Sequence, residues 1–471
     1  MMTRYFYIST FSLLVLLLPI QVFSLDKTHN MGTFRGAMLG TDVTNEDILE
    51  FGQQWNANLV RWQLNWWQSD SNETDIDAYW NWLLAELDRL DEVLDYCRTA
   101  GLKVVVDLHT APGGRDSNNI NQVFKQQQYL DAYYEVWETI ATRYKGNTTI
   151  WAFDLLNEPL EYKNSFNVTS LDNLMTTVAG KIRAIDSDRT LIVEPGDYGG
   201  VDGYADFSPI DYANIVYSVH MYEPIHFTHQ GISGFSDESS SYPGFVNGEW
   251  WDKNELKNVL APVLAFQTKY DVPIYVGEFS AIRRAPDDSA YQYIKDCIEI
   301  FEEYGWDWTY HAFREWQGWS VEHIAGIHEE IEATNETERA GLLKQWFSVN
   351  NKPLYQRGAE FVQVNTQFKE LDSNHIIYFL LEINYVLKED VSVDYFTENI
   401  SAEAGKDYFQ SSGTATIPSG ELSTMIPVTI IGDENSESNE TFNLVLENPQ
   451  GAAFPEGITQ IRATRILVND D

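Results

Sequence analysis

Two glutamates close short apolar runs that lie 120 residues apart in the chain. Glu158 ends Trp151-Ala-Phe-Asp-Leu-Leu-Asn-Glu-Pro159, and Glu278 ends Pro273-Ile-Tyr-Val-Gly-Glu-Phe279. Such runs read as strands buried on both faces, and in barrels of alternating strands and helices the reactive groups gather where the strands end. Alone, Asn157-Glu158-Pro159 reads equally well as a polar turn. The repeat of the same form at Glu278 favours chemistry. Two carboxyl groups about 5 Å apart cleave a glycosidic bond with retention, one giving a proton to the leaving oxygen and one attacking the anomeric carbon. Sequence spacing does not say which glutamate does which.

Other run ends supply the polar groups such a pair needs: Arg61, His109, His220, Tyr222 and the aromatics around Trp316. Singly, each is as readily a core histidine, an ion-pairing arginine or a packing aromatic. Jointly, their placement at strand ends on one face points to a site. A cation or hydrogen bond lowers a carboxyl pKa, so Arg61 and Tyr222 are expected to keep Glu278 ionised, leaving Glu158 as acid/base. Asn157 is expected to hold a sugar hydroxyl. The 15 Trp and 26 Tyr suit a sugar binder, because flat aromatic faces cover pyranose rings. Trp62, Trp66, Trp67, Trp250 and Trp251 serve as well for packing and are not assigned to the site.

The elements that must position these residues follow from periodicity. Eight β-rich runs, at 34–40, 57–63, 102–109, 150–158, 190–194, 215–222, 273–278 and 307–313, alternate with helical patterns. One of these, Trp80 to Ala100, carries Leu83, Leu84, Leu87, Leu90, Val93, Leu94 and Cys97 at helical spacing and ends at Gly101. Eight βα units predict an α/β fold, a (β/α)8 TIM barrel over residues 26–356. An open doubly wound sheet is the runner-up, but Pro112-Gly-Gly114 lacks the spacing of a phosphate-binding fingerprint. After Lys352-Pro-Leu-Tyr355 the alternation becomes period 2, which predicts a small all-β, immunoglobulin-like antiparallel sandwich over 361–471.

Residues 1–24 have Arg4, the apolar core Leu13-Leu-Val-Leu-Leu-Leu18 and small residues before a cut after Ser24, the form of a signal peptide. The core is shorter than the roughly 20 residues that span a bilayer, and no later stretch is long and apolar enough, so a secreted protein with no transmembrane segment is expected. Six Asn-X-Ser/Thr acceptors, at Asn72, Asn147, Asn167, Asn335, Asn399 and Asn439, are compatible with secretion. Cys97 and Cys297 make no disulfide framework; they either pair or stay as buried thiols. A formal charge of −40 argues against nucleic acid or an anionic membrane as partner. It suits a neutral or cationic substrate, or bound cations, and equally solubility in a salty or extracellular medium.

The residues quoted resemble glycoside hydrolase family 5, the cellulase-type enzymes, over roughly residues 30–356. The matching elements are Arg61 in Val-Arg-Trp-Gln, His109 in Asp-Leu-His-Thr-Ala-Pro-Gly-Gly, Asn157-Glu158-Pro159, His220-Met-Tyr222 and Gly277-Glu278-Phe279. The resemblance implies that Glu158 is the acid/base and Glu278 the nucleophile of a double displacement that needs no cofactor. It also implies Trp316, in preference to Trp308, as the aromatic that stacks on sugar. The expected substrate is a plant or microbial β-glucan, with endo-β-1,4-glucanase the leading activity. β-1,3-Glucanase, mannanase and xyloglucanase share this framework, and a non-catalytic carbohydrate-binding or adhesion protein is the alternative from another class. Residues 361–471 resemble a Calx-β domain, which implies calcium ligands at Asp407, Asp433, Glu437, Glu440, Asp470 and Asp471 and a contact with cell surface or matrix. Two departures weaken that set: the first strand, near Phe361-Val-Gln-Val-Asn365, lacks an acid, and Gly432 stands where another Asp is expected.

Overall fold

A computed structural model describes residues 28–29, 31–40, 42–66, 72–161, 167–232, 234–235, 239–327, 331–334, 336–351, 359–362, 367–383, 387, 389–433, 435–454 and 458–469. The leader, Trp67, Asn335, Asp470 and Asp471 lie outside them. Eight strands close a barrel: β1 Arg35–Leu39, β2 Leu59–Gln63, β3 Lys103–Asp107, β4 Ile150–Asp154, β5 Thr190–Val193, β6 Ile215–Met221, β7 Ile274–Phe279 and β8 Asp307–Phe313. Every neighbouring pair around the ring is parallel, with β8 closing onto β1. The α/β barrel is therefore present, and strand β4 ends four residues before Glu158 rather than at it. Seven helices cover the outside: α1 Asn45–Gln53, α2 Ile76–Ala100, α3 Gln127–Arg143, α4 Leu171–Ile185, α5 Lys253–Tyr270, α6 Ser289–Tyr304 and α7 Glu338–Phe347. Among the described residues, the β5–β6 crossover carries only a 3-10 turn, Val201–Tyr204.

Helix α2 shows how local chemistry sets these bounds. It starts four residues before the apolar pattern does, because the Asp75 carboxylate accepts from the Ala78 N–H and caps the first turn. It stops at Gly101, whose φ of 82° is the left-handed conformation that glycine adopts without a Cβ penalty. Leu83, Leu87, Leu90, Val93, Leu94 and Cys97 are buried against the barrel, whereas Leu84 faces out. Cys97 and Cys297 are both buried free thiols.

Beyond the barrel, strands β9 Ala359–Val362, β10 Gln367–Lys369, β11 His375–Ile383, β12 Val391–Asn399, β13 Ser412–Ile417, β14 Ser423–Ile430, β15 Glu440–Gln450 and β16 Ile461–Val468 form two sheets. Their orders are β9-β11-β14 and β10-β16-β15-β12-β13. Alternate residues such as Phe379, Leu381, Ile417, Ile426, Phe442 and Leu444 fill the space between them. The sandwich is not wholly antiparallel, since β10 pairs with β16 in parallel through Gln367↔Ile466 and Lys369↔Val468. The consecutive strands β9 and β10 thus belong to different sheets and pair in opposite senses.

Barrel closure sets a test. At Gly36, on β1, an added Cβ would lie 1.8 Å from the Leu59 carbonyl oxygen of the neighbouring strand. Gly36→Ala is expected to cost at least about 1–3 kcal/mol of stability by overpacking, read as a lower midpoint in chemical denaturation.

Candidate active site

The centre of the site is a cation. Arg61, on β2, is wholly buried. Its Nη1 donates to Glu278 Oε1 at 2.7 Å, its Nε and Nη2 to Asp154 Oδ2 at 3.1 and 3.0 Å, and Nη2 also to Asn157 Oδ1 at 3.0 Å. Asp107 Oδ1 at 3.1 Å and Glu194 Oε1 at 3.5 Å complete the ring. Four other strands thus converge on one guanidinium, whose planar fork suits several carboxylates at once. Burial pushes the Asp154 carboxyl up, with Glu194 and Asp107 adding to the rise against the pull of Arg61.

Glu278 sits on β7 with its carboxylate buried. Its Oε2 accepts from the Tyr222 hydroxyl at 2.8 Å and has His311 Nδ1 at 3.3 Å. Burial alone would raise this carboxyl, but the cationic His220, His311 and Arg61 outweigh it and hold Glu278 well below the usual range. Glu158 is placed otherwise. Its side chain keeps 29 % of its surface exposed, against 5 % for Glu278. Its backbone has a φ of 48°; its N–H donates to Glu194 Oε2 at 2.8 Å and its carbonyl accepts from Arg115 Nη2 at 2.5 Å. These two bonds hold a left-handed turn that costs a non-glycine residue about 1–3 kcal/mol.

His220, on β6, joins the two carboxyls. Nδ1 lies 3.1 Å from Glu158 Oε1 and 3.9 Å from Glu278 Oε2, and Nε2 lies 3.2 Å from Glu194 Oε1. One carboxyl oxygen of Glu158, one of Glu278 and a ring nitrogen of His220 all lie within 4.8 Å of one another. Burial disfavours a charged His220, but Glu194 and Glu278 raise its pKa well above the ordinary value. The ring fits because position 277 is glycine; a Cβ there would stand 2.9 Å from His220 Nε2. His109 Nδ1 donates to Asp107 Oδ2 at 2.8 Å, while Asn157 Nδ2 meets His109 Nε2 at 3.3 Å. The network therefore assigns a neutral His109 with its proton on Nδ1.

Arg61, His109, Asn157, Glu158, His220, Tyr222 and Glu278 are thus brought together. Trp316 is 40 % exposed, packs on Trp319, which meets Tyr222, and lines a cavity of about 400 Å³ with Arg314, Glu315, Gln317, Ser320 and His323 that none of those seven residues lines. Trp308 cannot meet a sugar: it is buried in the wall, stacked on Phe347, with Nε1 donating to Glu302 Oε1 at 2.9 Å. The sequence reading missed His311, Glu194, Asp107, Asp154 and Arg115. Glu194 closes Thr190-Leu-Ile-Val-Glu194 in the way Glu278 closes its own run, so the same signal was available for it. His311 lies inside an aromatic strand and looks like a packing residue.

In the sandwich, Glu370, Asp407 and Glu437 bring one carboxyl oxygen each within 4.8 Å of the others. Glu370, buried just after β10, is an acid beyond the residues 361–365 in which the sequence lacks one. Gly432 follows from packing, since any Cβ there would meet the Leu371 carbonyl oxygen at 2.1 Å. No aspartate fits that backbone. Glu440 opens β15, its pKa pushed up to about 7 by burial and by Asp407. Asp433 and Glu437 raise Glu370 through their charge, after burial. Oxygen donors this close suit a hard cation such as calcium, which takes six to eight oxygen ligands.

A closed parallel barrel with paired carboxylates at its C-terminal mouth is an arrangement that a retaining glycoside hydrolase can use. The chain belongs to glycosyl hydrolase family 5, whose cellulase model matches residues 22–317, and a Calx-β domain follows, matched over residues 358–471. Endoglucanase C of Acetivibrio thermocellus is 31% identical over 252 residues, 48% of this chain and 72% of that protein. Cellodextrinase A of Ruminococcus flavefaciens is 24% identical over 274 residues, 56% of this chain and 76% of that one. Among solved structures, the cellulose synthase subunit Z of Clostridioides difficile superposes with a TM-score of 0.51 at 24% identity, over 66% of this chain and 99% of that one. Thermotoga maritima Cel5A with cellobiose gives a TM-score of 0.52 at 21% identity, over 67% and 96%.

Removing the central cation would leave its carboxylates buried and unpaired. Arg61→Ala is expected to lose about 3–5 kcal/mol of stability at neutral pH. Without the cation the carboxyls bind protons more tightly in the folded state than in the unfolded one, so the deficit should shrink as pH falls toward 5. Urea midpoints of both proteins at pH 5 and pH 7 check the size and the sign.

Proposed function

We propose that this chain is a secreted endo-β-1,4-glucanase in which Glu158 is the acid/base and Glu278 the nucleophile. The observation that carries the roles is the contrast between two carboxyls within one site. Glu278 is buried, ionised and held by Arg61 and Tyr222, as an attacking group requires. Glu158 is partly open to solvent, as a group must be that passes protons to a leaving oxygen and takes them from water. Their proximity within 4.8 Å supports retention rather than inversion, which leaves room for a water between carboxyls about 6.5–9.5 Å apart. In the first step Glu278 attacks the anomeric carbon while Glu158 protonates the departing oxygen. In the second, Glu158 takes a proton from water, whose oxygen displaces Glu278. Asn157, with Arg61 and His109 fixing its amide, offers its remaining N–H to a sugar hydroxyl, and Trp316 offers an exposed ring beside the cleft. The endoglucanase relatives support β-1,4-glucan as substrate, and the charge of −40 suits an extracellular glycan hydrolase.

Carboxymethylcellulose, β-1,3-glucan, mannan and xyloglucan, with product length and anomer followed by NMR, test the specificity. Short β-configured products from carboxymethylcellulose are expected. Glu158→Ala should lose roughly 10²–10⁴-fold on polysaccharide yet still release dinitrophenol from dinitrophenyl β-cellobioside, whose leaving group needs no proton. Glu278→Ala should lose both. A Glu278→Ala enzyme that still hydrolyses the activated cellobioside would sink the assignment.

For the C-terminal domain, taken as residues 361–471 beside a barrel domain of 26–356, we propose calcium held by Glu370, Asp407 and Glu437, with Asp433 and Glu440 in support. A carboxyl whose folded pKa is raised contributes stability below its unfolded value and loses it as pH rises through the folded one. With chelator, the sandwich should therefore become less stable from pH 4.5 to 7, following Glu440 toward its value of about 7. Excess calcium should restore stability at pH 7.5 and do little at pH 4.5. Calorimetry of the full chain with an unchanged second transition on adding calcium would count against the site.

A further inference from the structure

Beside the nucleophile stands a histidine whose protons can be counted. His311 lies on β8 with Nδ1 3.3 Å from Glu278 Oε2 and in contact with the Tyr222 hydroxyl. Tyr222 gives its one proton to Glu278 at 2.8 Å, so toward His311 its oxygen only accepts. Glu278 also only accepts. Nδ1 must therefore carry hydrogen. On the other side, Nε2 lies 3.3 Å from Glu315 Oε2.

Glu315 is held as an acceptor by an oriented chain. The Trp66 N–H donates to Thr110 Oγ1 at 2.9 Å, Thr110 to Asn65 Oδ1 at 3.2 Å, Asn65 Nδ2 to Gln63 Oε1 at 3.1 Å and Gln63 Nε2 to Glu315 Oε2 at 3.2 Å. The direction of the Gln63 amide is settled by its second bond, from Nε2 to the Leu39 carbonyl at 3.3 Å. Every proton in this chain points toward Glu315, whose carboxyl His311 lowers against the effect of burial, so that it meets His311 as a carboxylate. Both ring nitrogens are then donors, and His311 is an imidazolium. The other groups around it are Arg61 and His229, which oppose its charge, and the rings of Tyr222 and Trp319.

We propose that His311 is a catalytic residue of the second displacement, its Nδ1–H given to the Tyr222 oxygen and its charge held 3.3 Å from Glu278 Oε2 as the glycosyl ester breaks, and that Glu315 is the positioning residue that keeps it a cation. This rests on Glu278 being the nucleophile. Oε1 of Glu278 is tied to Arg61, whereas Oε2 is the oxygen 3.9 Å from His220 Nδ1, on the side of Glu158. Oε2 is thus the oxygen that bonds to the anomeric carbon. Its charge is full in the free enzyme, partial in both transition states and absent in the ester. A fixed cation beside Oε2 therefore restrains the first displacement and assists the second, where the electron pair of the breaking C–O bond returns to Oε2. No proton passes through His311. Glu158 deprotonates the attacking water, and Glu315 preserves the imidazolium while Glu278 is esterified and uncharged.

Stopped-flow and steady-state kinetics on dinitrophenyl β-cellobioside test the asymmetry. For His311→Ala, kcat should fall roughly 10- to 100-fold, the loss of the charged partner of the Tyr222–Glu278 hydrogen bond, while kcat/KM holds or rises. A burst of dinitrophenol equal to the enzyme concentration should appear. Glu315→Gln should show the same split, smaller at pH 5 and growing as pH rises and the imidazole loses its proton; it decides the matter if His311→Ala does not fold. Parallel loss of kcat and kcat/KM without a burst, or no change in either variant, would overturn the proposal. The unaltered chain and Glu278→Ala run alongside: if the first is inactive or the second active, the reading of Glu278 fails and this inference with it. If both behave as expected while His311→Ala loses kcat and kcat/KM equally, only the inference fails.

Discussion

A buried guanidinium among four carboxylates is the constraint from which the site follows. Arg61 meets Asp107, Asp154, Glu194 and Glu278, which come from β3, β4, the end of β5 and β7. Charges taken out of water are tolerable only when paired and hydrogen-bonded, so the strands that deliver them cannot shift in register without stranding one. The barrel mouth is organised by that requirement as much as by apolar packing. The excess of anions over Arg61 explains why histidines line the same cleft. His220 and His311 gain charge because carboxylates surround them, and they in turn keep Glu278 ionised.

The same constraint explains why the two glutamates differ although their sequence settings look alike. Glu278 remains within β7, so its side chain enters the ring of charges directly. At β4 the residue that reaches Arg61 is Asp154, and the strand ends there. The chain continues through Leu155 and Leu156 and turns at Glu158 with a positive φ, fixed by Glu194 below and Arg115 above. Glu158 is thereby lifted out of the buried network toward solvent. One apolar run supplies both an ion-pair partner for Arg61 and, four residues later, a carboxyl at the rim.

Much of this was legible in the chain. Strand periodicity and run ends placed Glu158, Glu278, Arg61, His109, Asn157, His220 and Tyr222 in one region, because in a parallel barrel a run's last residues have one direction to face. Two kinds of residue escaped. Asp107, Asp154 and Glu194 are buried carboxylates inside apolar runs, and only their common distance to Arg61 gives them a role. His311 has no local signal, since its meaning depends on Glu315, Gln63 and Tyr222 from separate loops and strands. Glu370 escaped for a plainer reason: it follows β10, beyond the stretch Phe361 to Asn365 in which an acid is sought.

The two domains handle crowded carboxylates in opposite ways. In the barrel, acids at strand ends are matched by cations from the same chain, and the cluster stays charged and rigid without help. In the sandwich, Glu370, Asp407 and Glu437 converge with no arginine or histidine between them among the described residues, and Lys406 is drawn off to Glu403. Protons then serve in place of a cation, which is why Glu370 and Glu440 rise where Glu278 falls. A cluster that supplies its own cations can keep two carboxyls within ångströms of each other. One that lacks them stays sensitive to pH.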